Sequence, residues 1–176
     1  MEQPHLVRKE FILVKITYNV EDGDKYDPLG VTMLVSLFAL CGLDTIAYPD
    51  GKFGVDVGVY LNGDRIFDVD AEVRPNWTGL AFPFDPIHVV PRKMAKKFAR
   101  PVFFATIDNS GTRAMLIDKR DVVKVPGMPN KRSQGEVEEF FGYYQADNRH
   151  FYFDIFDNST CKLNLDKLIE RAKRLD

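Results

Sequence analysis

The chain is short of the residues that announce the commonest chemistries. Among 176 residues there are two cysteines and three histidines. Cys41 and Cys161 have no metal-ligand spacing and are too few for a disulfide framework. Both are expected as reduced thiols in a reducing compartment, with a single disulfide between them as the alternative. His5, His88 and His150 are widely separated and are expected to be structural or exposed. A net charge of −2 gives no global field toward nucleic acid, so any such binding needs a local patch. No run approaches the length of a membrane-spanning helix. The first residues, with Glu2, Pro4 and His5, lack the apolar stretch of a signal peptide. Gly-rich phosphate loops, Ser or Cys nucleophile motifs, repeats and low-complexity tracts are missing as well. The Asn158-Ser159-Thr160 sequon is then fortuitous. These absences lead to the expectation of a soluble cytoplasmic protein without membrane contact.

Apolar content, with fourteen Phe and seven Tyr, is enough for a core, and the length fits one domain over residues 1–176. Its most informative stretch is Gly54 to Trp77, which reads as two strands joined by Asn62-Gly63-Asp64, residues that tolerate a hairpin turn. In the first strand Val55, Val57 and Val59 alternate with Asp56, Gly58 and Tyr60. In the second, Arg65, Phe67, Val69, Ala71 and Val73 share one parity, and Asp68, Asp70, Glu72 and Arg74 the other. Alternation of this kind is the ordinary condition of a half-solvated sheet. Yet three acids in a row on one face repel each other by about 0.2–1 kcal/mol each. A cation, either a hard divalent ion or a basic partner, is therefore expected at that face.

Along the rest of the chain, residues 10–18 read as a strand, and Asp27-Pro28 as the start of a buried helix over about 28–41 that stops at Gly42. A short strand at 44–48 precedes the hairpin. After Trp77, expected to be a core or edge residue, comes a Pro- and aromatic-rich stretch. Pro91 then opens a helix, RKMAKKFA, whose Arg92, Lys93, Lys96 and Lys97 share a face. That face is either a solvated surface or a phosphate-contacting one. Residues 101–107 and 112–117 form a second hairpin, 136–144 is strand or helix, 150–156 a late strand, and 163–175 an amphipathic helix. A helix before a mixed sheet and another after it give an α/β sandwich.

Asp56, followed by Glu72-Val73-Arg74, resembles the signature of the PD-(D/E)xK nuclease superfamily. Trp77, the FPFDPIHVVPRK run and PVFFATIDNSGTRAMLI add similarity to small phage and bacterial members, some of them resolvase-like. The resemblance implies a restriction-endonuclease-like core over about residues 28–120: a central mixed β-sheet flanked by helices. An extra N-terminal strand and a C-terminal β/α elaboration over 121–176 would be added to it. It further implies a Mg²⁺- or Mn²⁺-dependent nuclease acting on DNA, on branched or phage-replication DNA in particular, in the host cytoplasm if phage-encoded. Cutting both strands would favour a homodimer. Asp56 and Glu72 would be metal ligands, with the Val73 carbonyl completing the set and Asp70 an alternative ligand. Arg92, Lys93, Lys96 and Lys97 would touch phosphates. The family's lysine is Arg74 here, and an arginine stays protonated at any working pH, so it can stabilise a phosphate but cannot act as a base. The alternative is a non-catalytic member of the same fold that grips DNA or a protein partner.

Overall fold

The computed structural model describes residues 26–48, 54–79, 81–82, 88–89, 97–122, 129–131, 137–139, 141–143 and 150–174. Helix α1 (Tyr26–Leu40) carries Pro28 in its first turn, where a missing N–H leaves no helical bond unmade. It ends as Gly42 dictates. Gly42 takes a φ of 77°, its N–H bonds Ala39 O at 3.1 Å, and Leu43 N–H bonds Phe38 O at 3.0 Å. This paired closure satisfies carbonyls that the helix itself leaves open. Although α1 is apolar on nearly every side, its buried large side chains among the described residues form one stripe of Leu29, Met33, Leu34, Leu37 and Phe38. Val31 and Val35 stay half-exposed.

Strands β1 (Asp44–Ala47), β2 (Val57–Leu61) and β3 (Asp64–Val73) follow, then the two-residue β4 (His88–Val89). Asn62 and Gly63 make the tight turn between β2 and β3, with φ of 53° and 86°. β5 (Val102–Ile107) and β6 (Arg113–Asp118) form the second hairpin. A 3₁₀ turn, Lys119–Asp121, leads on to β7 (Pro129–Lys131), β8 (Val137–Glu139), β9 (Phe141–Tyr143) and β10 (His150–Asp154). The main sheet has six strands in the order β1-β2-β3-β5-β6-β10. All its neighbours are antiparallel except β3 and β5, which run parallel. Among the described residues, β4 pairs with β9 and β7 with β8 as separate two-stranded pieces, so the described parts of 136–144 are strand.

The chain closes with helix α2 (Asn158–Lys173). It begins five residues before the apolar periodicity does. Asp157 caps it, Oδ1 accepting from Thr160 N at 3.1 Å and Oδ2 from Thr160 Oγ1 at 2.8 Å. Both helices contribute to one core cluster. Leu34, Phe38, Leu165 and Leu168 pack with Val57, Phe67, Val69, Phe103 and Leu116, so the helices share one face of the sheet. The architecture is α/β with a mixed sheet. The strand expected over 10–18 lies outside the described residues, as does 91–96 of the basic helix. Its expected end is corrected: Lys97, Phe98 and Ala99 are not helical, since a residue directly before proline, as Arg100 is before Pro101, disfavours helical backbone.

The β5–β6 turn depends on one carboxylate. Asp108 is 1% exposed. Its Oδ1 accepts from Thr112 N at 2.8 Å and Arg113 N at 3.0 Å, and its Oδ2 from Ser110 Oγ at 2.6 Å. Gly111 completes the turn at φ 65°, where a Cβ would meet Leu29 Cδ1 at 2.7 Å. Gly111→Ala adds left-handed strain to a clash with α1, and is expected to lower stability by about 1–3 kcal/mol. Denaturant unfolding measures this, and a loss below about 0.5 kcal/mol would show that the turn relaxes freely.

Candidate functional site

The acids of β3 emerge on the sheet face opposite the helices. Phe67, Val69, Ala71 and Val73 point into the helix-side core, and Asp68, Asp70 and Glu72 take the alternate positions. That opposite face is partly covered by a second apolar cluster of Val55, Trp77, Val102, Phe104, Met115, Ile117 and Val122. As a result Asp68 is 5% exposed and Asp70 7%, while Glu72 is half-buried. Trp77 is wholly buried, its indole N–H bonded to Gly79 O at 3.0 Å and its ring edge-on to Phe82 at 4.9 Å. It serves the core.

Cations reach this face from within the strand itself. The β2–β3 ladder shifts register between Val59 and Tyr60: Val59 faces Phe67 but Tyr60 faces Arg65, leaving Ile66 as the extra residue of a bulge. A bulge flips the parity of everything beyond it. Arg65, assigned by alternation to the apolar side, therefore joins the acids. Its Nε lies 2.6 Å from Asp68 Oδ1, and its guanidinium stacks 5.1 Å from the Tyr48 ring centroid. Burial acts to lower the Arg65 pKa, but the bond and charge of Asp68 outweigh it and the net shift is upward. Arg74 Nη2 stands 3.1 Å from Glu72 Oε1. Part of the charge balance inferred from the acidic run is thus supplied by two arginines of the chain.

Asp56 comes to the end of β3 as its spacing suggested, but in a specific role. Its N–H bonds Val69 O at 3.0 Å, and its Oδ2 accepts the Ala71 N–H at 2.7 Å. The carboxylate takes the place of a ladder carbonyl just where β2 gives out, in the stretch of β3 that carries Asp70 and Glu72. Alternation directs the Ala71 and Val73 backbone groups toward that same β2 side, because the Arg74 N–H turns the other way, to Ile107 O at 2.8 Å. Asp56, Asp70, Glu72, the Val73 carbonyl and Arg74 are therefore gathered at the carboxyl ends of the parallel pair β3 and β5, where Glu72 is in register with Thr106. Among the described residues, no group of three or more His, Cys, Asp or Glu side chains is arranged to hold a metal ion. Arg92, Lys93 and Lys96 lie outside the described residues, and Lys97 is exposed.

Two charged features were not anticipated. Asp118, wholly buried, receives Arg120 Nη2 at 2.6 Å and Arg171 Nε at 3.0 Å, joining β6 to α2 across more than fifty residues of sequence. Beside it lies a basic cleft that includes Arg100, Lys119 and Arg174. The only sequence signal for either was scattered positive charge. Cys41 and Cys161 are free thiols, and burial pushes the Cys161 thiol up to about 12. Within the described residues no helix is long and apolar enough to cross a membrane. No protein-family model, curated protein or solved structure matches this chain.

Proposed function

We propose that the chain is a divalent-cation-dependent nuclease acting on DNA through Asp56, Asp70 and Glu72, with Arg74 facing the phosphate. The observation that carries this reading is the placement of Asp56 on the Ala71 N–H, which brings residues fifteen apart in sequence together at one end of a parallel strand pair. The donors are carboxylate and carbonyl oxygens, which suit Mg²⁺ or Mn²⁺. A Mg²⁺ ion is commonly held by one or two carboxylates together with water and substrate phosphate. Among the described residues no group of three or more acids forms a preformed cage. Asp70, Glu72 and the Val73 carbonyl would hold the ion, with Asp56 beside them on the Ala71 N–H. Once bound, such an ion stabilises developing phosphate charge and acidifies an attacking water. Arg74 offers its guanidinium to phosphate oxygen after leaving Glu72.

A second reading is favoured by the same contacts. With Asp56 spent on a backbone N–H and Glu72 on Arg74, the site would be a non-catalytic one that grips DNA or a basic protein partner. Cleavage of linear and branched DNA in Mg²⁺ or Mn²⁺ separates the two. The nuclease reading expects metal-dependent cleavage that falls at least about 100-fold in Glu72→Gln and Asp70→Asn, the size of a lost electrostatic contact in a transition state. Metal-independent binding without cleavage would decide for the second reading.

A further inference from the structure

Among the described residues the main sheet ends in two edges, β1 and β10, and the chain treats them differently. An edge strand presents unpaired N–H and C=O groups to any chain that can match them, so proteins cover or charge such edges. The β10 edge is covered. Helix α2 packs against β10, and its Asn164 Nδ2 donates to Tyr152 O at 2.6 Å. The β1 edge is open to water: Asp44, Ile46 and Ala47 are exposed and Thr45 is half-buried. The strand contains no lysine, arginine or proline to discourage pairing. Ile46 leaves 48% of its surface in solvent.

This edge matches its own copy. Tyr48 N–H bonds Asp56 O at 2.7 Å, toward the β2 side. Backbone groups alternate sides along a strand, so Ile46 also turns its N–H and C=O to β2, and Thr45 and Ala47 turn theirs outward. A twofold axis through Ile46 pairs Thr45 of one copy with Ala47 of the other, each pair exchanging both N–H···O=C bonds. The two Ile46 side chains then meet on the axis, where cross-strand neighbours stand about 4.5–5.5 Å apart, and both leave water. Asp44 falls opposite Tyr48 of the other copy, whose ring carries the Arg65 guanidinium at 5.1 Å. Its carboxylate thus approaches positive charge, while the two Asp44 groups stay about 14 Å apart along the strands. Helix α1, which packs against β1, adds no charge to oppose the approach, since residues 28–43 contain none.

We propose that a second copy of this chain docks on β1, the two strands pairing antiparallel about Ile46 so that the main sheets join into one. The axis stands perpendicular to the sheet, so the β3 carboxylates of both copies face the same side. A strand pair this short makes a small interface, and the dimer is reversible. The proposal does not rest on the nuclease reading, because β1 carries none of that site's residues.

The test is sedimentation equilibrium of the full chain from about 1 µM to about 500 µM, with hydrogen exchange of the Thr45 and Ala47 amides at both ends of the range. A monomer–dimer equilibrium is expected, with protection of both amides rising as the dimer fills. Ile46→Lys sets two ammonium groups together on the axis and should weaken association at least about tenfold. Its melting temperature at low concentration should match the wild type, because Ile46 already meets water. Leu163→Lys replaces a comparably exposed apolar side chain of α2 and should leave association unchanged. A monomer throughout the range overturns the proposal; slow exchange of both amides in that monomer would assign the edge to another segment of the same chain, and fast exchange would leave it to water. A dimer that the two lysine variants disturb equally, or whose β1 amides exchange as fast as in the monomer, also overturns it, since the interface then lies elsewhere.

Discussion

Asp118→Ala is expected to lower the unfolding free energy by about 3–5 kcal/mol, because it strips the shared counter-charge from two arginines that meet on one buried carboxylate. In a chain of this size that is a fall of roughly 6–20 °C in melting temperature. The carboxylate is fully buried and takes Arg120 through Nε and Nη2, with Arg171 Nε on the same oxygen at 3.0 Å. It also accepts the Arg120 N–H at 2.8 Å, capping the 3₁₀ turn after β6. Arg171 continues the chain of charge to Asp121 at 3.2 Å. Removing Asp118 therefore takes the shared carboxylate from two guanidinia and loosens the last turn of α2 at once. Asn at this position keeps the shape but not the charge, and should recover only part of the loss. Asp118→Leu combined with Arg120→Met and Arg171→Met should recover most of it, since a well-packed apolar replacement of a buried ion cluster is often neutral. If Asp118→Ala unfolds within about 1 kcal/mol of the wild type, the cluster is ornamental and α2 is held by its apolar face alone.

The second large effect is expected in the core. Phe67 is fully buried and stands between two rings, 5.7 Å from Phe38 of α1 and 5.2 Å from Phe103 of β5, both edge-to-face at 74°. Phe103 extends the row to Phe151 of β10 at 6.0 Å. This row links α1 to both strands of the parallel pair and to β10. Phe67→Ala removes both the buried area and the ring contacts, and leaves a void that neighbouring strands are too rigid to fill. It should lower stability by about 3–5 kcal/mol. Phe67→Leu keeps most of the volume and should lose less than half as much. Urea unfolding with an unchanged slope is the measurement. Equal losses for Ala and Leu would mean that strand distortion, rather than the void, sets the penalty.

Much of this was legible because one face of each strand had to be apolar. The valines around Asp56 and the run from Phe67 to Val73 revealed β2, β3 and the face of the acids, and Asn62-Gly63 revealed the turn. Arg65 was placed on the wrong side because a single extra residue, Ile66, reverses parity, and nothing in local alternation marks a bulge. The start of α2 was hidden because Asn158, Ser159 and Thr160 resemble a loop; it is the Asp157 cap that draws them into the helix. The Asp118 cluster and the basic cleft join positions 100, 118–121, 171 and 174, so they arise from the sheet order and could not be read from any one segment. At the candidate site, the sequence placed Asp56 beside β3 and Glu72 on it, but read Asp56 as a strand residue where the chain still bends ahead of β2. It could not indicate that Asp56 would spend one oxygen on Ala71, nor that Glu72 would meet Arg74.

The carboxylates can be tested without guessing a DNA substrate, by titrating Mn²⁺ into the wild-type protein and the Asp56→Ala/Glu72→Ala variant and following thermal unfolding. The variant will start lower, because Ala71 loses its acceptor, so the metal-dependent shift is the quantity to compare. Binding to the native state at a hundredfold excess over the dissociation constant adds about 2.7 kcal/mol, or roughly 5–11 °C here. An upward shift in the wild type that vanishes in the variant is the expected result. No shift in the wild type, or the same shift in both proteins, would contradict the metal site and return these carboxylates to the polar face of a sheet.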